Sequence, residues 1–256
     1  MESSIHPRTQ WSAIRLPLEL SPEIVHVIRL RLDLDPVCWN EMRQYLTDDE
    51  LARADRFRFD GPRRQFIVCR ATLRQLLGSC CGVAPGEVPL KYSNRGKPYL
   101  SFDGLNAQTP HIEFSVSHSG DLGLIAITLE VIVGIDVEEC NPKVKTEGLA
   151  KRYFAPAEVE ELSTLAETEQ LAGFYRGWTC KEAYIKATGR GLSMPLDSFA
   201  VSIDPKKPAS LLHVDDMPDE PNRWSIQALD VAEHYAGAVM VARPDCQFEY
   251  WNWPSD

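Results

Sequence analysis

The 256-residue sequence contains no long apolar run. Its most apolar stretch, Leu122 to Val137, is interrupted by Glu130 and Asp136 and is too short to span a bilayer. The opening MESSIHPRTQW has an early acid and no apolar segment, so it does not read as a signal peptide. The seven cysteines are odd in number and include no C-x-x-C pair, and Cys80 and Cys81 are neighbours. That pattern suits free thiols in a reducing cytoplasm better than a disulfide framework or a zinc site. There is no G-x-x-x-x-G-K-[ST], no G-x-G-x-x-G and no G-x-S-x-G, so neither an ordinary nucleotide fold nor a serine hydrolase finds support. Positive charge is also short: 27 Lys and Arg face 37 Asp and Glu, a net charge of −10 that argues against general nucleic-acid binding.

What is present is an ordinary globular composition, 44% hydrophobic and 25% charged, long enough for one large domain or two half-sized ones. The charge is uneven. Between Arg53 and Arg74 lie seven arginines (53, 56, 58, 63, 64, 70, 74) against Asp55 and Asp60, a local surplus of five positives. Such a surplus on an acidic chain points to one anionic ligand or partner; the plain alternative is a solvated helix face. Thr47-Asp-Asp-Glu50 reads as a capping box opening a short helix to about Phe57. Gly61-Pro62 then breaks the chain and starts a second helix with Phe66, Ile67, Leu73, Leu76 and Leu77 as its apolar positions, ended by Gly78 or Gly82. On it Arg63, Arg70 and Arg74 share a face. Tyr92 to Pro98 is a turn in which Gly96 takes positive φ.

Strands are expected at Ile112–Ser117, Leu122–Leu129 and Val131–Val137, with a hairpin at Ser119-Gly-Asp121. Helices are expected over Pro156 to about Leu165 and Leu171 to Thr188, the second closed by Gly189. Phe199–Ile203, Trp224–Leu229 and Tyr235–Ala242 complete the strands. The two halves repeat one order, long amphipathic helix then strands ending in a hairpin, and FSVSHSGDLGLIAIT finds a loose echo in WSIQALDVAEHYAGAVMVA. Both halves set helices against antiparallel sheet, an α+β arrangement.

Two stretches carry chemistry. In Val133-Gly-Ile-Asp-Val-Glu138, a strand puts Asp136 and Glu138 on one face, with Ile135 and Val137 on the other. Paired carboxylates beside a buried strand repel unless a cation compensates. Either the strand emerges into solvent there, or the pair belongs to a hard-cation site such as Mg²⁺, with Glu182 as a third carboxylate. In GWTCKEAYIKATGRGL, residues 177–192, Glu182 and Lys186 stand at i, i+4 on one helix stripe. A surface ion pair is the ordinary use of that spacing, stabilising a helix by about 0.2–0.5 kcal/mol. Ser117 and His118 are adjacent on a strand, point to opposite sides and do not form a nucleophile–base pair.

Four motifs in order, GKP (Gly96–Pro98), FSVSHS (Phe114–Ser119), GIDVE (Gly134–Glu138) and WTCKEAYIK (Trp178–Lys186), resemble the 4′-phosphopantetheinyl transferase family of the surfactin-synthetase-activating (Sfp) type. The resemblance runs from about Leu46 to Val241. It implies a pseudo-dimer of two similar α+β halves, residues 1–132 and 133–256, with the active site at their interface, in a chain active as a monomer. It implies transfer of the phosphopantetheine arm of coenzyme A to a serine of an apo acyl carrier protein or a carrier domain of a fatty acid, polyketide or peptide synthase. Asp136, Glu138 and Glu182 match the family's magnesium carboxylates. Lys186 matches the lysine near the leaving diphosphate, and His118 the histidine at the 3′-phosphate. Lys97 and Ser117 match other coenzyme A contacts. Of two upstream basic positions Arg53 fits one, while Glu50 stands at the other, which leaves Arg64 or Arg70 to substitute. Two other readings use the same residues: a non-catalytic coenzyme A- or carrier-binding protein, and a metal-dependent phosphodiesterase with water as nucleophile.

Overall fold

The structure is a computed structural model that describes residues 9–254. The chain forms two compact units, one of residues 11–130 joined by 248–254, the other of residues 131–247 joined by 9–10. The first contains β1 (Ser12–Ala13), β2 (Ile24–Arg31), α1 (Pro36–Glu41), α2 (Asp48–Asp55), α3 (Asp60–Cys81), β3 (Leu90–Tyr92), β4 (Pro98–Leu100), β5 (Ile112–Ser119) and β6 (Leu122–Leu129). The second contains β7 (Val133–Glu139), α4 (Thr146–Tyr153), α5 (Pro156–Thr164), α6 (Glu167–Thr188), β8 (Phe199–Val201), β9 (Leu211–Val214), β10 (Ser225–Leu229) and β11 (Tyr235–Val241). The last strand, β12 (Gln247–Asn252), returns to the first unit, whose sheet runs β1-β12-β2-β6-β5. A division at residue 132 does not contain that return.

In the first unit α3 lays Val68, Leu73, Leu76 and Leu77 on Ile28 and Leu30 of β2, Phe114 of β5 and Ile125 and Ile127 of β6. Thr47 caps α2 through the expected box, with the Thr47 amide donating to Glu50 Oε2 at 3.1 Å. Helix α3 begins at Asp60, before Gly61 and Pro62, and ends where Gly82 adopts φ 69°. The β5–β6 hairpin turns at Gly120, φ 55°. His26 of β2 is buried and accepts at Nδ1 from Trp251 Nε1 at 3.2 Å, which ties β12 to its neighbour.

The second unit is organised around α6. Twelve of its 22 residues are buried, and two apolar clusters pack on it, one with Phe199, Val201, Ala238 and Met240, the other with Phe154, Leu162 and Ile203. The helix begins four residues earlier than its apolar pattern shows, because its first turn is polar: Glu167 and Glu169 sit where the helix dipole favours acids. The strand expected from Val131 starts only at Val133. Glu130 adopts φ 60° in the connecting turn, and Ile132 is 46% exposed despite its apolar side chain.

The order of elements repeats more closely than the sequence does. In each unit an opening strand is followed by a 22-residue helix closed by a left-handed glycine and then by a hairpin. The second hairpin strand pairs with the opening strand, giving β2-β6-β5 in one unit and β7-β11-β10 in the other. The echo between the two hairpin sequences corresponds to these topologically equivalent elements.

One glycine governs the helix–sheet distance in the second unit. A Cβ on Gly134 of β7 would lie 1.9 Å from the Ala183 carbonyl oxygen and 2.5 Å from the Ala187 nitrogen, both on α6. Backbone cannot yield as a side-chain tip does. Gly134→Ala is therefore expected to cost about 3 kcal/mol or more, the upper end for overpacking. Gly61→Ala, whose Cβ would meet nothing within 4 Å, is expected to be neutral or better. Urea unfolding of the two variants beside the parent checks this, and equal midpoints would remove the close approach as a constraint.

Candidate functional site

Because side chains alternate along a strand, Gly134, Asp136 and Glu138 share the face of β7 on which α6 lies. Asp136 is 3% exposed and Glu138 is half-buried. Opposite them on β11 stand Ala238 and Ala236, small side chains that leave the face open. On α6, Glu182 and Lys186 immediately precede Ala183 and Ala187, the residues that meet Gly134, so the glycine contact brings them beside Asp136. Lys186 Nζ donates to Asp136 Oδ1 at 2.6 Å. The i, i+4 lysine thus reaches across to the strand.

Glu182 is the electrostatic focus. Burial pushes its carboxyl above the ordinary glutamate value, the charge of Asp136 adds to the rise, Lys186 opposes it, and Glu138 raises it further. Three carboxylates and one ammonium leave a net negative cluster of oxygen donors. Among the described residues no three His, Cys, Asp or Glu side chains are gathered closely enough to hold a metal ion on their own. The donor chemistry nevertheless fits a hard divalent cation of the Mg²⁺ type, which takes one or two carboxylates and completes its shell with water and substrate phosphates. Asp136 and Glu182, whose charges already act on each other, are the fitting pair, with Glu138 beside them.

The other expected site residues belong to the first unit. Ser117 is buried and His118 exposed, on opposite faces of β5. Lys97 follows Gly96, φ 81°, in the β3–β4 turn, where Ser93 Oγ accepts from its amide at 3.1 Å. Burial lowers the Lys97 pKa, and the charge of Glu113 on β5 opposes that.

The arginine-rich helix is corrected by the structure. Arg74 is 3% exposed and pairs with Glu50 through two bonds, Nε to Oε2 at 2.6 Å and Nη2 to Oε1 at 3.1 Å. It also donates to the carbonyls of Pro85 and Val88. Arg63 is turned to Asp60 and to the Phe57 carbonyl. The surplus of positives is thus smaller than the count of arginines. Arg70 lies on the same buried face, with Nε 3.5 Å from Glu50 Oε1 and its Nη1 buried without a hydrogen-bond partner. Arg53 and Arg70 converge on two rings: Arg53 lies 5.0 Å from Phe66 and 5.9 Å from Tyr92, Arg70 5.8 and 5.5 Å. Arg64 makes a long contact of 3.4 Å to Asp121. Glu50 therefore holds Arg74 in a closed pair, while Arg53 and Arg70 lie over the Phe66 and Tyr92 rings and Arg64 faces Asp121.

Residues 132–240 match the model of the 4′-phosphopantetheinyl transferase superfamily, and residues 35–130 match the model of the 4′-phosphopantetheinyl transferase N-terminal domain. The chain is 37% identical to the 4′-phosphopantetheinyl transferase HetI of Nostoc over 92% of its length and 95% of that protein's. It is 28% identical to the 4′-phosphopantetheinyl transferase Sfp of Bacillus subtilis, over 78% of this chain and 84% of the relative. The chain belongs to the 4′-phosphopantetheinyl transferase superfamily. Among solved structures, a holo-[acyl-carrier-protein] synthase of Thermotoga maritima aligns with 44% of this chain and 64% of its own, at 23% identity and a TM-score of 0.36.

In this transferase one residue beside the carboxylate site escaped the sequence reading. Lys181, next to Glu182, is wholly buried and paired with Glu158 of α5 at 2.7 Å, both side chains 1% exposed. Its Nζ also donates to the carbonyls of Leu196 and Phe199 and sits 4.3 Å from the Phe199 ring. Glu158 in turn accepts from the amides of Ala155 and Val201. Burial lowers the Lys181 pKa and raises that of Glu158, while each charge supports the other. The signal was legible as spacing: Phe174, Gly177, Lys181 and Tyr184 form one i, i+3/i+4 stripe, and its other members are apolar or small. Lys181→Met is expected to destabilise the fold by about 3–5 kcal/mol, since it leaves a buried carboxylate unpaired, whereas the double change with Glu158→Leu recovers much of the loss. Denaturant midpoints of the two single variants and the double variant check this, and additive losses would show that the pair is not coupled.

Proposed function

We propose that this transferase moves the 4′-phosphopantetheine arm of coenzyme A to a serine hydroxyl of an apo acyl or peptidyl carrier, releasing adenosine 3′,5′-bisphosphate. The observation that carries the reading is the stripe of Glu182 and Lys186 on α6 laid against Asp136 of β7, a base and a cation side by side over a carboxylate pair. The nucleophile comes from the carrier, which accounts for a site with no activated Ser, Cys or Thr of its own. Glu182 accepts the proton of the carrier serine, as the carboxylate that shares the α6 stripe with Lys186. Lys186 stabilises the negative charge that builds on the departing bisphosphate. A bound Mg²⁺, held by Asp136, Glu182 and Glu138, would supply charge neutralisation at the diphosphate.

Arg53, Arg64, Arg70, Lys97, Ser117 and His118 are proposed as contacts to coenzyme A. Supporting this is their chemistry: three arginines, a lysine and an exposed imidazole suit a ligand bearing three phosphates. The proposed partners are carrier proteins or carrier domains of fatty acid, polyketide or peptide synthases, and the working unit a monomer. All seven cysteines are free thiols, and no helix of the described residues is long and apolar enough to cross a membrane; both fit a cytoplasmic enzyme.

Incubation with coenzyme A, Mg²⁺ and a panel of apo-carriers, read by mass spectrometry, tests the reaction. Pantetheine-modified carrier is expected; free phosphopantetheine in its place would mean hydrolysis, and no product would mean a binding protein. Asp136→Ala and Glu182→Gln are expected to lower turnover by about 10²-fold or more while unfolding at or above the parent midpoint. EDTA should act likewise on the parent, with Mg²⁺ restoring activity; full turnover in EDTA would sink the metal assignment.

His118→Ala should raise the KM for coenzyme A by about tenfold, the scale of a lost charge-assisted hydrogen bond. The same change should matter far less with 3′-dephospho-coenzyme A. Equal losses with both substrates would move His118 to another role.

A further inference from the structure

Helix α6 carries another buried charge that the transfer reaction does not use. Arg176 is 9% exposed and, six residues before Glu182, points about 120° away around the helix. It lines a cavity of about 400 Å³ within the second unit, walled by β10 and β11 and by the 205–209 segment. Its guanidinium donates from Nη2 to the Lys207 carbonyl at 2.5 Å, and its Nε is buried with no partner among the described residues. Burial works against its charge, and the carboxylates of Asp204 and Glu161 support it only through the field they exert. Asp204 and Glu161 are already engaged by Lys207 Nζ, at 3.6 and 3.1 Å. A desolvated guanidinium nitrogen without a partner, on the wall of a cavity, is a group that a bound anion would complete.

The cavity supplies room and walls for such an anion. Pro205, Pro208, Ile226 and Leu229 give it an apolar lining, and Arg176 and Lys207 make its basic side. Asp230, the acidic residue of the lining, is exposed. The volume falls at the small end of ligand pockets, about 300–1,000 Å³, which are mostly apolar with a few placed polar groups. The planar fork of an arginine matches a carboxylate in particular.

We propose that this cavity binds a small carboxylate bearing a short aliphatic chain, at a site separate from the Asp136–Glu182 cluster. The head group meets Arg176 and the chain lies against the prolines, Ile226 and Leu229. The probe is octanoate, with octanamide as its uncharged match, followed by isothermal titration calorimetry on the full chain. Saturable octanoate binding is expected, with octanamide about tenfold weaker, the scale of one lost charge-assisted contact.

Arg176→Met should abolish the preference for octanoate. Should that variant fail to fold, Ala209→Leu, which fills space on the wall, should weaken binding of both probes. Glu182→Gln should bind octanoate as the parent does, which keeps this test independent of the transfer chemistry. No saturable binding by the parent, equal affinity for octanamide, or an undiminished preference in Arg176→Met would each overturn the proposal.

Discussion

The absence of one Cβ sets the chemistry of the second unit. At Gly134 the strand backbone meets the backbone of α6, at a distance where any side chain would collide with the Ala183 carbonyl. That approach places residues 182 and 186 of the helix beside residue 136 of the strand, so that Lys186 closes on Asp136 and the charges of Asp136 and Glu138 act on Glu182. Helix–sheet spacing is normally set by side-chain volume; here it is reduced at one point, and the ionisable residues flank that point. Gly173 and Gly177, on the same helix, face the side chains of Leu165, Ile203 and Phe154, softer neighbours than the backbone that Gly134 meets.

Charged side chains in this protein divide into those that build the fold and those that are left for ligands, and the division follows burial. Glu50 with Arg74, and Glu158 with Lys181, are closed pairs whose remaining hydrogen-bonding capacity is taken up by backbone amides and carbonyls. Such pairs add little net stability against apolar replacements, but fix which groups must meet. Glu50 is notable because it caps α2 and holds α3 with one carboxylate, linking two helices at the point where Arg70 and Arg53 converge on Phe66 and Tyr92.

Much of this was legible from residue pattern, and the failures have physical causes. The hairpin at Gly120, the capping box at Thr47, the glycine stops at 82 and 189, and the shared face of Asp136 and Glu138 all rest on local rules, and local rules are written in neighbouring residues. The start of β7 was misplaced because Val131 and Ile132 are apolar while their turn is dictated by Glu130 at φ 60°. Strand β2, Ile24–Arg31, passed unnoticed although its eight residues are mostly buried; with apolar residues on both faces it lacks the alternation that marks a half-exposed strand. Helix α4 was not expected, since only Ala150 of its residues is buried. The fate of the arginines was not legible at all. Whether Arg74 faces a ligand or Glu50 depends on a partner 24 residues away, which no local pattern encodes.

The return of β12 has a consequence for how the molecule is made. This strand is not an edge of the first unit's sheet; it lies between β1 and β2. During synthesis the ribosome releases the rest of that unit, then the whole of the second, before the missing interior strand emerges. Until then β2 presents one unpaired edge, and β1, two residues long, has no strand to pair with. The second unit has all of its own strands by residue 241, so the part of the chain translated later is able to complete itself first. Order of translation and order of completion are thereby reversed. Because the first unit waits on Gln247–Asn252, a ribosome that stalls before β12 or a protease that clips it away leaves that unit open-edged.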